Sequence, residues 1–407
     1  MGDSARRAAP GGTRDVDGTV RRNAVEALGE LGAPDSIEAL TGLLDDPSAE
    51  VRAAALEALG ELGAQASVGP IAARLRDGDA TVRAAAADAL GELESSAARQ
   101  PLIAALEDSD WRVRTACLEA LDEVGAEGAE SAIGARLGDE HWKVRRAAVE
   151  LLGELSSGAS VAPLVGALDD GSWEVRLAAA EALGEIEDAR AREPLRRALR
   201  DDSWEVRAAA AEALGELQNA ADADELARAL SDPHWRVREA VAEALGELGA
   251  SGAVEALGRA LADEHWRVRE AAAEALGELE DPRGAKALGK ALGDAHWSVR
   301  ESAAESLGEL EDPSALGPLA GALDDPSWEV RRAAAESLGE LEQPGALEPL
   351  TAALADAHPE VREAALEALS DLEDPRALAA VRKLLRDPDT DVRATAAEVI
   401  AQLSETD

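Results

Sequence analysis

Eight tryptophans occupy one position of a repeating sequence: Trp111, Trp142, Trp173, Trp204, Trp235, Trp266, Trp297 and Trp328. The chain contains no Phe and no Tyr, so these indoles carry its aromatic surface apart from five histidines. Two glutamate columns follow them at helical spacing. One runs Glu119, Glu150, Glu181, Glu212, Glu243, Glu274, Glu305, Glu336, and the other Glu123, Glu154, Glu185, Glu216, Glu247, Glu278, Glu309, Glu340. Indole faces offer apolar and stacking surface. Ranks of carboxylates repel acidic chains and admit basic ones. No glutamate is singled out from its column, so the pattern is not that of a catalytic acid–base pair, and no cofactor site is expected. His141, His234, His265, His296 and His358 also share one position, immediately before the tryptophan site. Successive repeats lie too far apart to share one metal easily, so these histidines are expected as helix caps. Cys117 is the one cysteine and stands where other repeats have a core Ala, which excludes a disulfide scaffold.

The elements that must hold these columns follow from the period. A Val-Arg pair begins at Val20, Val51, Val82, Val113, Val144, Val175, Val206, Val237, Val268, Val299, Val330, Val361 and Val392, always 31 residues apart. Thirteen copies without insertion or deletion mean a stacked array in which each unit is stabilised by its neighbours. Within one unit, Asp281-Pro282 opens a turn and Arg283 to Leu292 form a first helix. Gly293 to Ala295 break it, His296 stands at the N-cap, and a second helix runs from Trp297 to about Leu310. Pro359 takes the tryptophan site in repeat twelve, where proline suits the first helical position. Asp17, Ser48, Asp79, Asp110, Ser172, Ser203, Ser327 and Asp389 fill the cap site elsewhere.

On a helical wheel, Val268, Ala272, Ala275, Leu276 and Leu279 form the core face. Trp266, Arg267, Glu270, Ala271, Glu274 and Glu278 lie opposite and are expected outside the core. Gly277 and its equivalents recur in ten of thirteen repeats despite the helical cost of glycine, which predicts close helix approach. Packed helices lie about 8–10 Å apart, so open slots one side chain wide are expected between successive indoles. An Asp five before each Val and the Arg after it run from Asp15 to Asp387 and Arg21 to Arg393. They are expected to tie each loop to a helix start by charge-assisted hydrogen bonds.

The pattern D-x-x-W-x-V-R-x-A-A-A-E-A-L-G-E-L, after a helix ending A-L-x-D, resembles the HEAT-like repeats of phycobilisome lyases. It is also similar to the 31-residue designed alpha-helical repeat proteins. The resemblance implies an all-α, α-solenoid superhelix of thirteen HEAT-like repeats, about 25 helices, with the second helices on a concave face. It implies that the positions of Trp266, Arg267, Glu270, Ala271, Glu274 and Glu278 belong to the binding surface. Deoxyhypusine hydroxylase resembles this chain in its VR-x-x-A-A-E-A-L-G helices. Its iron-binding His-Glu pairs are replaced here by Glu239-Ala240, Glu270-Ala271 or Glu301-Ser302, so that activity is not expected.

The chain has 83 acidic and 41 basic residues, a net charge of -42, with Lys143, Lys286, Lys290 and Lys383 its only lysines. That balance matches either a protein adapted to concentrated salt, as in halophiles, or an acidic protein of a GC-rich genome. An acidic groove disfavours nucleic acid. No stretch has the length of a membrane span, and the start is no secretory signal, so a cytoplasmic location is expected. Residues 1–16 are expected as a disordered arm and 17–407 as one solenoid. The expected function is a non-catalytic protein-binding scaffold or adaptor. Its groove would be lined by the eight tryptophans and by Glu212, Glu243, Glu274 and Glu305, receiving an extended or helical protein segment. Two alternatives are a phycobilin-lyase-like enzyme or subunit, and a signalling adaptor such as one in archaeal taxis. A basic cluster on one outer helix, Arg190, Arg192, Arg196, Arg197 and Arg200, is either a solvated face or a second contact patch.

Overall fold

The computed structural model describes residues 12–405. The expected arm over 1–16 lies mostly outside them. Within them, the carbonyls of Asp15 and Val16 already accept hydrogen bonds from Arg21 Nη1 at 2.9 and 3.2 Å. The described residues hold 25 α-helices and no strand, which makes the fold an α-solenoid. The helices form two compact blocks divided between Ala191 and Arg192.

A single repeat shows how the sequence builds the unit. Asp281 caps a short 3-10 turn, Pro282–Gly284, by accepting from the Arg283 amide. The first helix, Ala285–Ala291, follows, and then the second, Trp297–Glu309. Pro359 does begin its helix. Within each block a second helix packs along the second helix of the next repeat, with the first helices behind. Val268, Ala272, Ala275 and Leu276 are buried as the wheel requires.

Ala271 corrects the wheel: it is 3% exposed. Its equivalent one repeat later, Ser302, donates to Glu274 Oε1 at 3.0 Å, so this position faces the preceding second helix and not solvent. Gly277 explains how closely those helices approach. A Cβ there would overlap Glu309 Oε2 and lie 2.9 Å from Ser306 Cβ. Gly246 is covered in the same way by Glu278 Oε2 and by Ala275. The second glutamate column therefore lies over the glycine of the preceding repeat.

In the first twelve repeats the second helix is followed by a residue of positive φ. That residue is Gly32, Gly63, Gly125 or Gly249 in four repeats, but Glu94, Ser156, Glu187, Gln218, Glu280, Glu311, Glu342 or Glu373 in the others. The left-handed turn reverses the chain toward the next first helix.

The Asp and Arg columns join neighbouring repeats. Arg269 Nε and Nη2 each reach Asp294 of the next repeat at 2.7 Å, while Nη1 donates to the Asp263 carbonyl of its own repeat at 2.9 Å. Asp294 Oδ1 also accepts from the His296 amide at 2.8 Å. The same clamp recurs from Arg21–Asp46 to Arg145–Asp170 in one block, and from Arg207–Asp232 to Arg362–Asp387 in the other. It fixes the start of the second helices that it reaches, and with it their tryptophan site.

Candidate functional site

The slots between indoles are not all open. Each histidine stacks on the tryptophan of the preceding repeat. Ring centroids lie 3.9 Å apart for Trp111–His141, 4.1 Å for Trp204–His234, 3.8 Å for Trp235–His265, 4.1 Å for Trp266–His296 and 4.3 Å for Trp328–His358. The planes are within 17° of parallel. In the C-terminal block this gives one alternating column from Trp204 through His234, Trp235, His265, Trp266 and His296 to Trp297. All five histidines stand at the N-cap position as expected, but most do not cap with the side chain. Only His141 accepts a helix-start amide, from Lys143, whereas His234, His265, His296 and His358 make no such bond. Imidazole placed against an indole face gains more contact than it would as a weak cap.

Serine does not cap with its side chain either. Ser172, Ser203 and Ser327 instead donate their hydroxyls to Glu174, Glu205 and Glu329, two residues on. Asp17, Asp79 and Asp110 do cap. Cations complete the stacked sites: Lys143 lies 5.3 Å from the Trp111 centroid, Arg236 5.2 Å from those of Trp204 and Trp235, and Arg267 5.2 Å from that of Trp266. Trp173 and Trp297, by contrast, are 40% and 45% exposed. The sequence carried this division. A histidine stands 30 residues after Trp111, Trp204, Trp235, Trp266 and Trp328, whereas Ser203 and Ser327 stand 30 residues after Trp173 and Trp297.

The expected glutamates come together in the C-terminal block. Glu212, Glu243, Glu274 and Glu305 follow one another along successive second helices. Partial desolvation between helices, reinforced by Glu239, Glu212, Glu274 and Glu247, pushes Glu243 up to about 7. Desolvation likewise raises Glu212, Glu274 and Glu305, with like charges adding to it. All four residues are exposed to solvent, so their repulsion is screened. One basic side chain enters this column. Arg332 stands where repeats eight to ten have Glu239, Glu270 and Glu301, and lies 2.7 Å from Glu336, 3.2 Å from Glu301 and 3.5 Å from Glu305.

In the N-terminal block Trp111, Trp142 and Trp173 occupy the same position on their helices. Asp122 replaces the usual glycine and Leu151 the usual alanine where the Trp111 and Trp142 helices meet, and a 310 Å³ cavity lies between these two. There Glu154 shares a hydrogen bond with Asp122, which raises its pKa. Among the described residues no group of His, Cys, Asp and Glu could hold a metal, and no helix is long and apolar enough to cross a membrane. The outer arginines are largely ion-paired. Arg190 meets Asp188, Arg192 and Arg196 hold the fully buried Asp222, and Arg200 meets Glu225. Cys117 is buried and unpaired, and burial pushes its thiol up to about 12.

No curated protein matches this sequence. Among solved structures, Kap95p bound to RanGDP superposes with a TM-score of 0.66 at 14% identity over 98% of this chain and 66% of its own. Yeast importin-beta (Kap95p) gives 0.58 at 16% identity, over 100% of this chain and 62% of its own. The chain thus spans about two thirds of the length of these importins, and the likeness is one of fold. The CpcE–CpcF phycocyanin lyase of Nostoc sp. PCC7120 shares 24% identity over 67% of this chain and 94% of its own, but its TM-score is only 0.36. The HEAT repeats family pattern matches residues 12–77, 68–133, 130–215, 193–276, 223–308, 254–327, 285–370 and 317–401. With that coverage of the described helices, the chain belongs to the HEAT-repeat family.

Proposed function

We propose that this protein is a non-catalytic scaffold or adaptor whose second-helix face in the C-terminal block receives a basic segment of a partner protein. The ledge from Trp204 to Trp328 forms one border of that face, and Glu212, Glu243, Glu274 and Glu305 form its floor. The observation that carries the reading is Arg332. The chain's own cation enters the glutamate column in repeat eleven and meets three carboxylates. In repeats eight and nine its site holds Glu239 and Glu270; Arg267 reaches Glu239 at 3.6 Å, but ionisation of Glu243 and Glu274 beside them is disfavoured. A basic side chain laid across them relieves that repulsion, and an acidic one adds to it. The importin-type fold, known in a chain that binds RanGDP, is consistent with a protein ligand.

The stacked indoles have a structural share in this proposal, and anchoring falls to those whose faces remain uncovered. The test is a selection of displayed 16-residue peptides on the full chain, repeated on Glu243→Gln/Glu274→Gln/Glu305→Gln. Arginine- and lysine-rich helical sequences should be enriched, and their affinity should drop at least tenfold on the triple variant. Enrichment of acidic sequences, or equal affinity for the triple variant, overturns the proposal.

A further inference from the structure

Trp297 differs from the other indoles of the column in the C-terminal block. Its ring meets His296 on one side, at 6.1 Å between centroids, and no histidine of the next repeat covers the other. In repeat eleven the covering position holds Ser327, where His265 and His296 cover Trp235 and Trp266. No cation stands in for it either. Ser298 follows Trp297, where Arg236 and Arg267 follow their indoles and lie over them. At the position from which Arg236 reaches back over Trp204, repeat eleven has Glu329. Its carboxylate accepts from the Ser327 hydroxyl, the residue at the covering position. The result is an indole 45% exposed to solvent, with a carboxylate bonded to the residue at its covering position.

We infer that the uncovered face of Trp297, with Glu329, is a binding site for one arginine side chain of a partner protein. The chain displays the required chemistry in its filled positions, where a flat ring lies on the indole and a cation stands beside it. Guanidinium supplies both in a single group: it is planar, stacks on aromatic faces, and pairs with a carboxylate through a fork of N–H donors. An ammonium group offers the charge without the plane. The site refines the proposed scaffold function by naming the side chain that the face selects. It rests on that reading only for the identity of the ligand as protein.

The experiment uses the full chain labelled with 5-fluorotryptophan, with the Trp297 fluorine resonance assigned through Trp297→Phe. The probe is the peptide acetyl-Gly-Arg-Gly-amide, with its citrulline counterpart as the uncharged planar control. The arginine peptide should shift the Trp297 resonance saturably and leave that of Trp266, covered by His296, in place. The citrulline peptide should give less than a third of that shift. Ser327→His installs the residue that covers the other indoles. It should move the free Trp297 resonance, raise the melting temperature and abolish the response. Glu329→Gln should weaken binding at least threefold. A Trp297 resonance that stays still, responds equally to citrulline, or still responds in Ser327→His overturns the inference. The peptide selection and this titration fail separately. A silent Trp297 with basic peptides enriched removes only the arginine site, whereas a Trp297 response without enrichment removes only the wider face.

Discussion

Arg269→Met tests the clamp that holds the second helices in place. Methionine keeps most of the aliphatic stem and removes the guanidinium. Two hydrogen bonds of 2.7 Å to Asp294 and one of 2.9 Å to the Asp263 carbonyl are lost. The larger consequence falls on Asp294, whose side chain is 12% exposed and keeps only the His296 amide. Burial opposes ionisation of Asp294, but the Arg269 hydrogen bond, the His296 amide and the nearby charge outweigh it and hold the carboxyl below its ordinary value. Breaking a buried pair by removing one partner costs about 3–5 kcal/mol. Residual exposure of 14% and 12% places this pair at the lower end, about 3 kcal/mol. Arg146→Met is the control, because Arg146 and Glu150 are 49% and 45% exposed and such pairs are worth at most about 1 kcal/mol. Urea unfolding followed by circular dichroism gives both values. Hydrogen exchange should localise the Arg269→Met loss to repeats nine and ten, because a repeat array fails at its interfaces. Adding Asp294→Asn should recover part of the loss by removing the unpaired charge. If Arg269→Met costs no more than the Arg146 control, the clamp is a screened surface pair and the reasoning fails.

Gly277→Ala should destabilise by about 1–2 kcal/mol, because overpacking against Ser306 and Glu309 outweighs the helical gain of alanine. Gly258→Ala, with Ala287 Cβ at 3.6 Å, should instead stabilise by up to about 1 kcal/mol in the same melts. Glu280→Gly, at φ 46°, should stabilise by about 0.5–1 kcal/mol, since relief of the left-handed strain exceeds the chain entropy cost of glycine. Glu243 at about 7 and Asp88 at about 6 are raised, so the folded state holds protons that the unfolded chain releases. Melting temperature should therefore fall as pH climbs from the ordinary carboxylate range to about 7, and less steeply in Glu243→Gln. Below that range the clamp aspartates, whose folded values are lowered, make stability fall again as they take up protons. Melting temperature at constant pH should rise steeply between dilute buffer and about 1 M KCl, where screening shortens to about 3 Å. A flat response would contradict adaptation to salt.

The array was legible because each repeat states the same helix pair, and the clamp was legible because Asp and Arg keep one spacing throughout. What a wheel for one helix cannot show is the neighbouring copy. Ala271 looked solvent-facing on its own helix and is buried by the preceding one. The histidines looked like caps within their own repeat, yet their rings lie on the indoles of the repeat before. That pairing crosses 30 residues, and the sequence records it only as a histidine standing 30 residues after a tryptophan. Glu280 at positive φ left no signal at all, since glutamate gives no hint of a left-handed turn.

The claim that the second helices of the C-terminal block form the ligand face is tested most directly by photo-crosslinking. A selected basic peptide carrying benzophenone is irradiated on the full chain, and its adducts are mapped by mass spectrometry. The adducts should fall on Trp235–Glu247, Trp266–Glu278 and Trp297–Glu309. Adducts confined to first helices such as Arg192–Ala198, with none on those three, would contradict the claim.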